Sequence, residues 1–203
     1  MIEYYFPTPV YKTVANQMMF STIQREIEKN CSDLTFSKRE EWVANNHKLS
    51  DPTFSSNLII EKDLKVLQNF IKKCVKEYLL ETIGYELPYN IMQSWMTKTV
   101  NGEITTLHNH GMFDIAGVYY YKTNGQDGAI KFLNPNTGLA ASQTFIKDYM
   151  RGIIPKEGQL ILFPAWLNHT VEMNTTDNER MSLAFNINID RSELYDNSKT
   201  KAG

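Results

Sequence analysis

After Gly84 the chain becomes a succession of short segments rich in aromatic and branched residues, and nothing else in the sequence constrains the fold as strongly. Tyr89 to Val100, Ile115 to Tyr121, Ala129 to Leu133, Gly158 to Phe163, Thr170 to Met173 and Met181 to Ile189 are separated by Asn-Gly, Asp-Gly and Pro-Asn turn signals. This pattern predicts an all-β second half. In its last segment Met181, Leu183, Phe185, Ile187 and Ile189 alternate with Arg180, Ser182, Ala184, Asn186 and Asn188, so one strand face is apolar and the other polar. Such a polar face either lines a site inside a barrel or lies half-solvated at a sheet edge.

The first 84 residues read differently. Tyr4 to Tyr11 is aromatic and branched, but Pro7 and Pro9 remove ladder donors and confine it to an edge strand or extended arm. Met19, Ile23 and Ile27 place one apolar stripe on a helix from about Asn16 to Lys29. A second helix is expected from about Asn57 to Thr82, with Leu64, Leu67, Ile71, Cys74, Val75 and Tyr78 inward and Gly84 as its left-handed stop. Residues 31–56, with Trp42, His47 and the Ser50-Asp51-Pro52 turn, read as loop with room for one short strand, and His47 reads as a surface residue. The tail from Asp196 has nothing to bury and reads as a disordered end.

With 21 basic and 23 acidic residues the formal net charge of -2 gathers neither nucleic acid nor an anionic membrane. Cys31 and Cys74 form no CxxC and no disulfide framework, which fits a reducing compartment with both thiols free. No segment reaches the roughly 20 apolar residues of a membrane span, and the N-terminus lacks a signal-peptide pattern. These features lead us to expect a soluble cytoplasmic protein. The proline-bearing arm is a candidate for packing on a second copy as a homodimer, although such arms more often pack within their own chain.

The chemistry concentrates in three places. The chain has only four histidines, and His108 and His110 share a strand face if that segment is extended, as Thr105-Thr106-Leu107 favours. His169 follows the apolar run Leu160-Ile161-Leu162-Phe163 and the turn Pro164-Ala165-Trp166-Leu167-Asn168. Neutral imidazoles bind Zn, Fe, Cu or Ni, and a site with three protein ligands keeps positions open for substrate and oxygen. Asp114 is the nearest carboxylate, so the third ligand is either His110 or Asp114. Arg180 inside a barrel needs an anion to offset its desolvation, and Ser182, two residues on, can bind the same carboxylate. A metal-chelating 2-oxo acid answers both observations, and the bland alternative pairs Arg180 with Glu179 or Asp177 at a turn. Phe113, Tyr119, Tyr121 and Trp166 are candidates for pocket walls or for core.

Taken in order, Phe6-Pro7-Thr8-Pro9-Val10, Ser94-Trp95, Gly102, His108-Asn109-His110, Gly117-Val118-Tyr119-Tyr120, Phe163 to His169 and Arg180 to Asn186 resemble the 2-oxoglutarate/Fe(II)-dependent oxygenase superfamily. Within it, they resemble a 2OG-Fe(II) oxygenase family found in bacteria and marine phages. The resemblance implies a mainly β fold with packed helices and a double-stranded β-helix (jelly-roll, cupin-like) core. It would form a single domain over 1–203: an arm and supporting helices over 1–84, the core over 85–190 and a tail over 191–203. It further implies a dioxygenase that hydroxylates its substrate, in a bacterial or phage-infected cell. Fe(II) would sit at His108, His110 and His169, and Arg180 and Ser182 would hold 2-oxoglutarate, with O2 as the other co-substrate. The departure is His110, which stands where most members carry an acid.

A second resemblance competes. His108-Asn109-His110 with Asp114 resembles the first cupin motif, with Asp in place of Glu. Gly158, Pro164 and His169 keep the second motif's spacing, but Trp166 occupies its glycine and Asn174 comes one position late. That reading gives a metal-binding module or isomerase without a keto acid, and it leaves Arg180 and Ser182 without a task. A catalytically inactive jelly roll is the third reading. The primary substrate is not indicated by the sequence, since specificity in this architecture sits in loops such as 31–56 and 134–152.

Overall fold

Asn16 opens the first helix by accepting the Met19 N–H on its side-chain oxygen, 2.9 Å away, as an N-cap asparagine should. The computed structural model describes residues 7–41, 46–136, 138 and 149–192. Chain order is β1 (Tyr11–Val14), α1 (Gln17–Asn30), β2 (Lys48–Leu49), α2 (Leu58–Glu61) and α3 (Lys65–Ile83), then β3 (Tyr89–Thr99) and β4 (Thr105–His108). There follow β5 (Ile115–Lys122), β6 (Ile130–Leu133), β7 (Met150–Ile153), β8 (Gln159–Pro164), β9 (His169–Val171) and β10 (Arg180–Ile189).

The strands form two antiparallel sheets facing one another, a six-stranded sheet in the order β1-β8-β5-β10-β3-β2 and a four-stranded sheet in the order β4-β9-β6-β7. This is the mainly β jelly roll expected from the sequence. The helices cover the outer face of the larger sheet. Ile23 and Ile27 of α1 and Leu67, Ile71 and Val75 of α3 pack with Leu160, Leu162, Leu183, Phe185 and Ile187 into a core where all are almost fully buried. The other face of the same sheet meets the smaller one around Ile130, Phe132, Ile161 and Phe163. Both cysteines are free thiols, and no helix among the described residues is long and apolar enough to cross a membrane.

Several expectations need correction. The single helix over Asn57–Thr82 is two: the chain breaks after Glu61, and Asp63 adopts the left-handed φ of 50° before α3 starts. No residue beside α3 caps it. Glu26 of α1 does so, its carboxylate accepting the N–H groups of Val66 (2.8 Å) and Leu67 (3.0 Å). Gly84, at φ 84°, ends α3 as expected. The edge strand runs over Tyr11–Val14, C-terminal to both prolines; residues 1–6 lie outside the described residues, as do Trp42 and the tail from 193 onward. β7 begins within the stretch read as the loop 134–152 and runs one residue past it, and much of that stretch lies outside the described residues.

Candidate metal centre and co-substrate pocket

Strand register brings the metal-binding residue types together. β4 and β9 pair antiparallel with His108 directly opposite His169. His110, just beyond β4, is pinned to the β8–β9 turn by its N–H, which donates to the Ala165 carbonyl at 2.7 Å. A hydrogen bond of 2.7 Å from Asn109 Nδ2 to Asn168 Oδ1 ties the two segments again. As a result, one ring nitrogen from each of His108, His110 and His169 lies within 4.8 Å of the others. The ring centroids are 4.2 Å apart for His108–His169 and 5.3 Å for each of the other two pairs.

The hydrogen bonds set which nitrogen faces inward. His108 Nδ1 lies 2.8 Å from the Thr106 carbonyl and His169 Nδ1 lies 3.0 Å from the Leu167 carbonyl. A carbonyl only accepts, so each Nδ1 carries the proton and each Nε2 keeps its lone pair. Burial keeps all three rings neutral: it lowers the pKa of His108, lowers that of His110 to about 4 with help from the neighbouring His108, and pushes that of His169 well below the ordinary value. Three neutral nitrogen donors with backbone carbonyls behind two of them form a donor set that suits a first-row transition metal.

Asp114 is occupied elsewhere. It accepts the Ile189 N–H at 2.7 Å and pairs with the Arg191 guanidinium at 2.5 and 3.0 Å, which hold its carboxyl below the usual range against the opposing effect of burial.

The histidines border a cavity of about 460 Å³ between the sheets, a size suited to small molecules. Arg180 and Ser182 line it from the polar face of β10, together with Thr97, Thr105 and Tyr120. Arg180 is 3% exposed. Its Nη1 donates to the carbonyls of Asp127 (2.7 Å) and Gly128 (2.9 Å), and its Nη2 to Thr99 Oγ1 (3.2 Å). The turn holding those carbonyls is organised by the buried Asp127 carboxylate, which accepts from Thr123 Oγ1, the Asn124 N–H and Asn178 Nδ2. Gly128, at φ 103°, is required here, since a Cβ would come within 2.8 Å of Arg180 Nη1. Glu179 pairs with Lys98, so the bland pairing of Arg180 with Glu179 is not what the structure contains.

The sequence reading of His47 as a surface residue fails here. His47 is 5% exposed and part of the cavity wall, with Nδ1 3.1 Å from Thr105 Oγ1 and 3.2 Å from the Ile104 carbonyl, and burial lowers its pKa to about 4. Of the four aromatic candidates only Phe113 lines the cavity; Tyr119 is in the core under the helices and Trp166 is 52% exposed. The aromatic wall also includes Phe54 and Trp95, whose rings meet edge to face at 4.6 Å, while Trp95 stacks on His110 at 6.1 Å. Phe54 reaches the mouth because Asp51 folds its loop back, accepting from Thr53 and Ser56, and leaves Phe54 at a left-handed φ of 55°. The Ser50-Asp51-Pro52 turn signal was the only trace of this in the sequence.

The chain thus combines a jelly roll, three clustered histidines bordering its cavity and a buried arginine in the cavity wall. The comparisons agree: residues 93–186, somewhat under half of the chain, match the family model described as "Putative 2OG-Fe(II) oxygenase", and the resemblance read from the sequence is borne out. No curated protein sequence is similar enough to add to this. Solved structures share the fold at low identity. An α-ketoglutarate-dependent epimerase of nogalamycin biosynthesis superposes with a TM-score of 0.64 at 10% identity, over 89% of this chain and 77% of that one. A prolyl-4-hydroxylase of Pseudomonas putida gives 0.58 at 11% identity, over 89% and 92%. HygX of Streptomyces hygroscopicus, solved with nickel and 2-oxoglutarate bound, gives 0.58 at 11% identity, over 89% and 83%.

Proposed function

We propose that this chain is an Fe(II)- and 2-oxoglutarate-dependent dioxygenase acting as a single domain, with His108, His110 and His169 as metal ligands and Arg180 and Ser182 as the co-substrate anchor. The observation that carries the reading is that one cavity joins three inward nitrogen donors to a buried guanidinium whose hydrogen bonds, among the described residues, are to carbonyl and hydroxyl oxygens and to no carboxylate. A dicarboxylic keto acid fits both ends, chelating the metal at one and meeting the charge of Arg180 at the other.

Fe(II) held by the three histidines and 2-oxoglutarate held by Arg180 and Ser182 would together activate O2, one oxygen atom going to succinate as the keto acid loses CO2 and the other to a substrate C–H bond. The chain's own residues do the rest. The Thr106 and Leu167 carbonyls fix the tautomers of His108 and His169, and Asp127 with Gly128 holds the guanidinium in place before the anion arrives, so little reorganisation is needed. Phe54, Trp95 and Phe113 narrow the mouth around the metal end and limit access of water. Asp114, engaged by Arg191, is not part of the ligand set in this reading. The cupin alternative is set aside because it gives a buried cavity arginine no role.

The test is an anaerobic titration of metal-free protein with Fe(II) and then 2-oxoglutarate. A weak visible charge-transfer band that needs His169 and weakens in Arg180→Ala supports the reading. Stoichiometric metal binding with no band at saturating 2-oxoglutarate would return the chain to the cupin class.

A further inference from the structure

His110 occupies the position where a carboxylate is usual in this superfamily, and an imidazole makes a demand a carboxylate does not: its second nitrogen carries a proton that needs an acceptor. For His108 and His169 that acceptor is a backbone carbonyl. No backbone carbonyl plays this part for a ring nitrogen of His110 among the described residues. The amide of Asn186, which lines the same cavity as His110, is the candidate acceptor.

We propose that Asn186 orients His110 as a metal ligand, at the end of a part-buried amide relay that starts at the Phe54 carbonyl. The inference rests on the metal site of the preceding section. Its direction follows from one fixed end. Gln93 Nε2 donates to the Phe54 carbonyl at 2.6 Å, and since that oxygen can only accept, Gln93 must present its Oε1 to Asn186. Asn186 Nδ2 donates to that Oε1 at 3.2 Å, which leaves Asn186 Oδ1 as the atom free to accept. Asn186 is 2% exposed and lines the cavity, and its Oδ1 is one of two buried side-chain polar atoms without a hydrogen-bond partner among the described residues. A buried, pre-oriented acceptor is costly unless a donor meets it. The ring N–H of His110 is the donor at hand, and Trp95, stacked nearly parallel to His110 at 15°, restrains the same ring from its face. Asn186 is therefore a positioning residue whose presence is tied to the histidine at 110.

The experiment measures Fe(II) affinity by competition with a chelator under anaerobic conditions for Asn186→Leu and Gln93→Met, each in the native background and in His110→Asp. With His110 present, Asn186→Leu should weaken metal binding about 10- to 100-fold and Gln93→Met by less, as loss of an outer-shell partner does. In His110→Asp, whose ligand has no N–H to satisfy, both substitutions should change affinity by under about threefold. Equal losses in the two backgrounds would overturn the proposal by making Asn186 merely structural, and so would no loss in either. If Asn186→Leu does not fold, Gln93→Met carries the same comparison. Absence of any His169-dependent binding in the native protein would sink the metal site itself, an outcome distinct from a site that binds Fe(II) without regard to Asn186.

Discussion

The two faces of β10 lie side by side on one strand and follow opposite rules. Leu183, Phe185 and Ile187 point outward from the barrel into a core closed by α1 and α3, and each is fully buried among carbon. Arg180, Ser182 and Asn186 point inward and are buried as well, yet they carry a charge, a hydroxyl and an amide. The first face is explained by folding alone, since burying apolar side chains is the main favourable term. The second raises the cost of folding and makes sense only if something in the cavity repays it. Burial therefore does not separate structure from function in this fold; the chemistry of what is buried does.

Substitutions on each face should affect different quantities. Phe185→Ala should cost about 3–5 kcal/mol of stability in chemical denaturation, with Fe(II) and 2-oxoglutarate affinity retained in the protein that stays folded. A metal-site defect without a stability loss would erase the contrast between the faces. Arg180→Leu should do the converse, weakening 2-oxoglutarate binding by about 2–5 kcal/mol in a calorimetric titration while Fe(II) binding persists.

Acid should act on the cavity side. His47 and His110, with pKa values lowered to about 4, and His108 and His169, also lowered, are neutral when folded and near 6.5 when unfolded. The unfolded chain binds more protons below 6.5, so the stability these groups contribute is present above that pH and is lost as pH falls toward 4. The slope is at most about 1.4 kcal/mol per pH unit for each histidine. Thermal unfolding of metal-free protein between pH 7.5 and 5 checks this, and a flat profile would mean the rings are not held neutral. The smallest effect is expected at the rim, where Lys98→Ala removes the ion pair with Glu179 and should shift stability by less than about 1 kcal/mol.

The strand pattern after Gly84 was legible because alternation and turn chemistry are local, and so was the split character of β10. Three of the clustered residues were legible as well, because the HxH pair and the histidine beyond an apolar strand are carried by sequence spacing. What escaped depends on partners distant in the chain. Ile115 to Tyr121 shows no polar alternation, so nothing local reveals that Tyr120 faces the cavity while Tyr119 faces the helices. His47 is buried because the two-residue β2 docks on β3, a pairing too short to leave a periodic signal. α3 is capped by Glu26 from another helix, which is why its start and the break after Glu61 could not be located. The acceptor role of Asn186 needed the positions of Gln93 and the Phe54 carbonyl, which only the folded chain supplies.

The most direct test of the account is an anaerobic crystal structure of the protein with Fe(II) and 2-oxoglutarate. The account predicts one metal bonded to His108, His110 and His169, with the far carboxylate of 2-oxoglutarate on Arg180 and Ser182 and Asp114 still paired with Arg191. A metal bonded to Asp114, or 2-oxoglutarate bound away from Arg180, would contradict it.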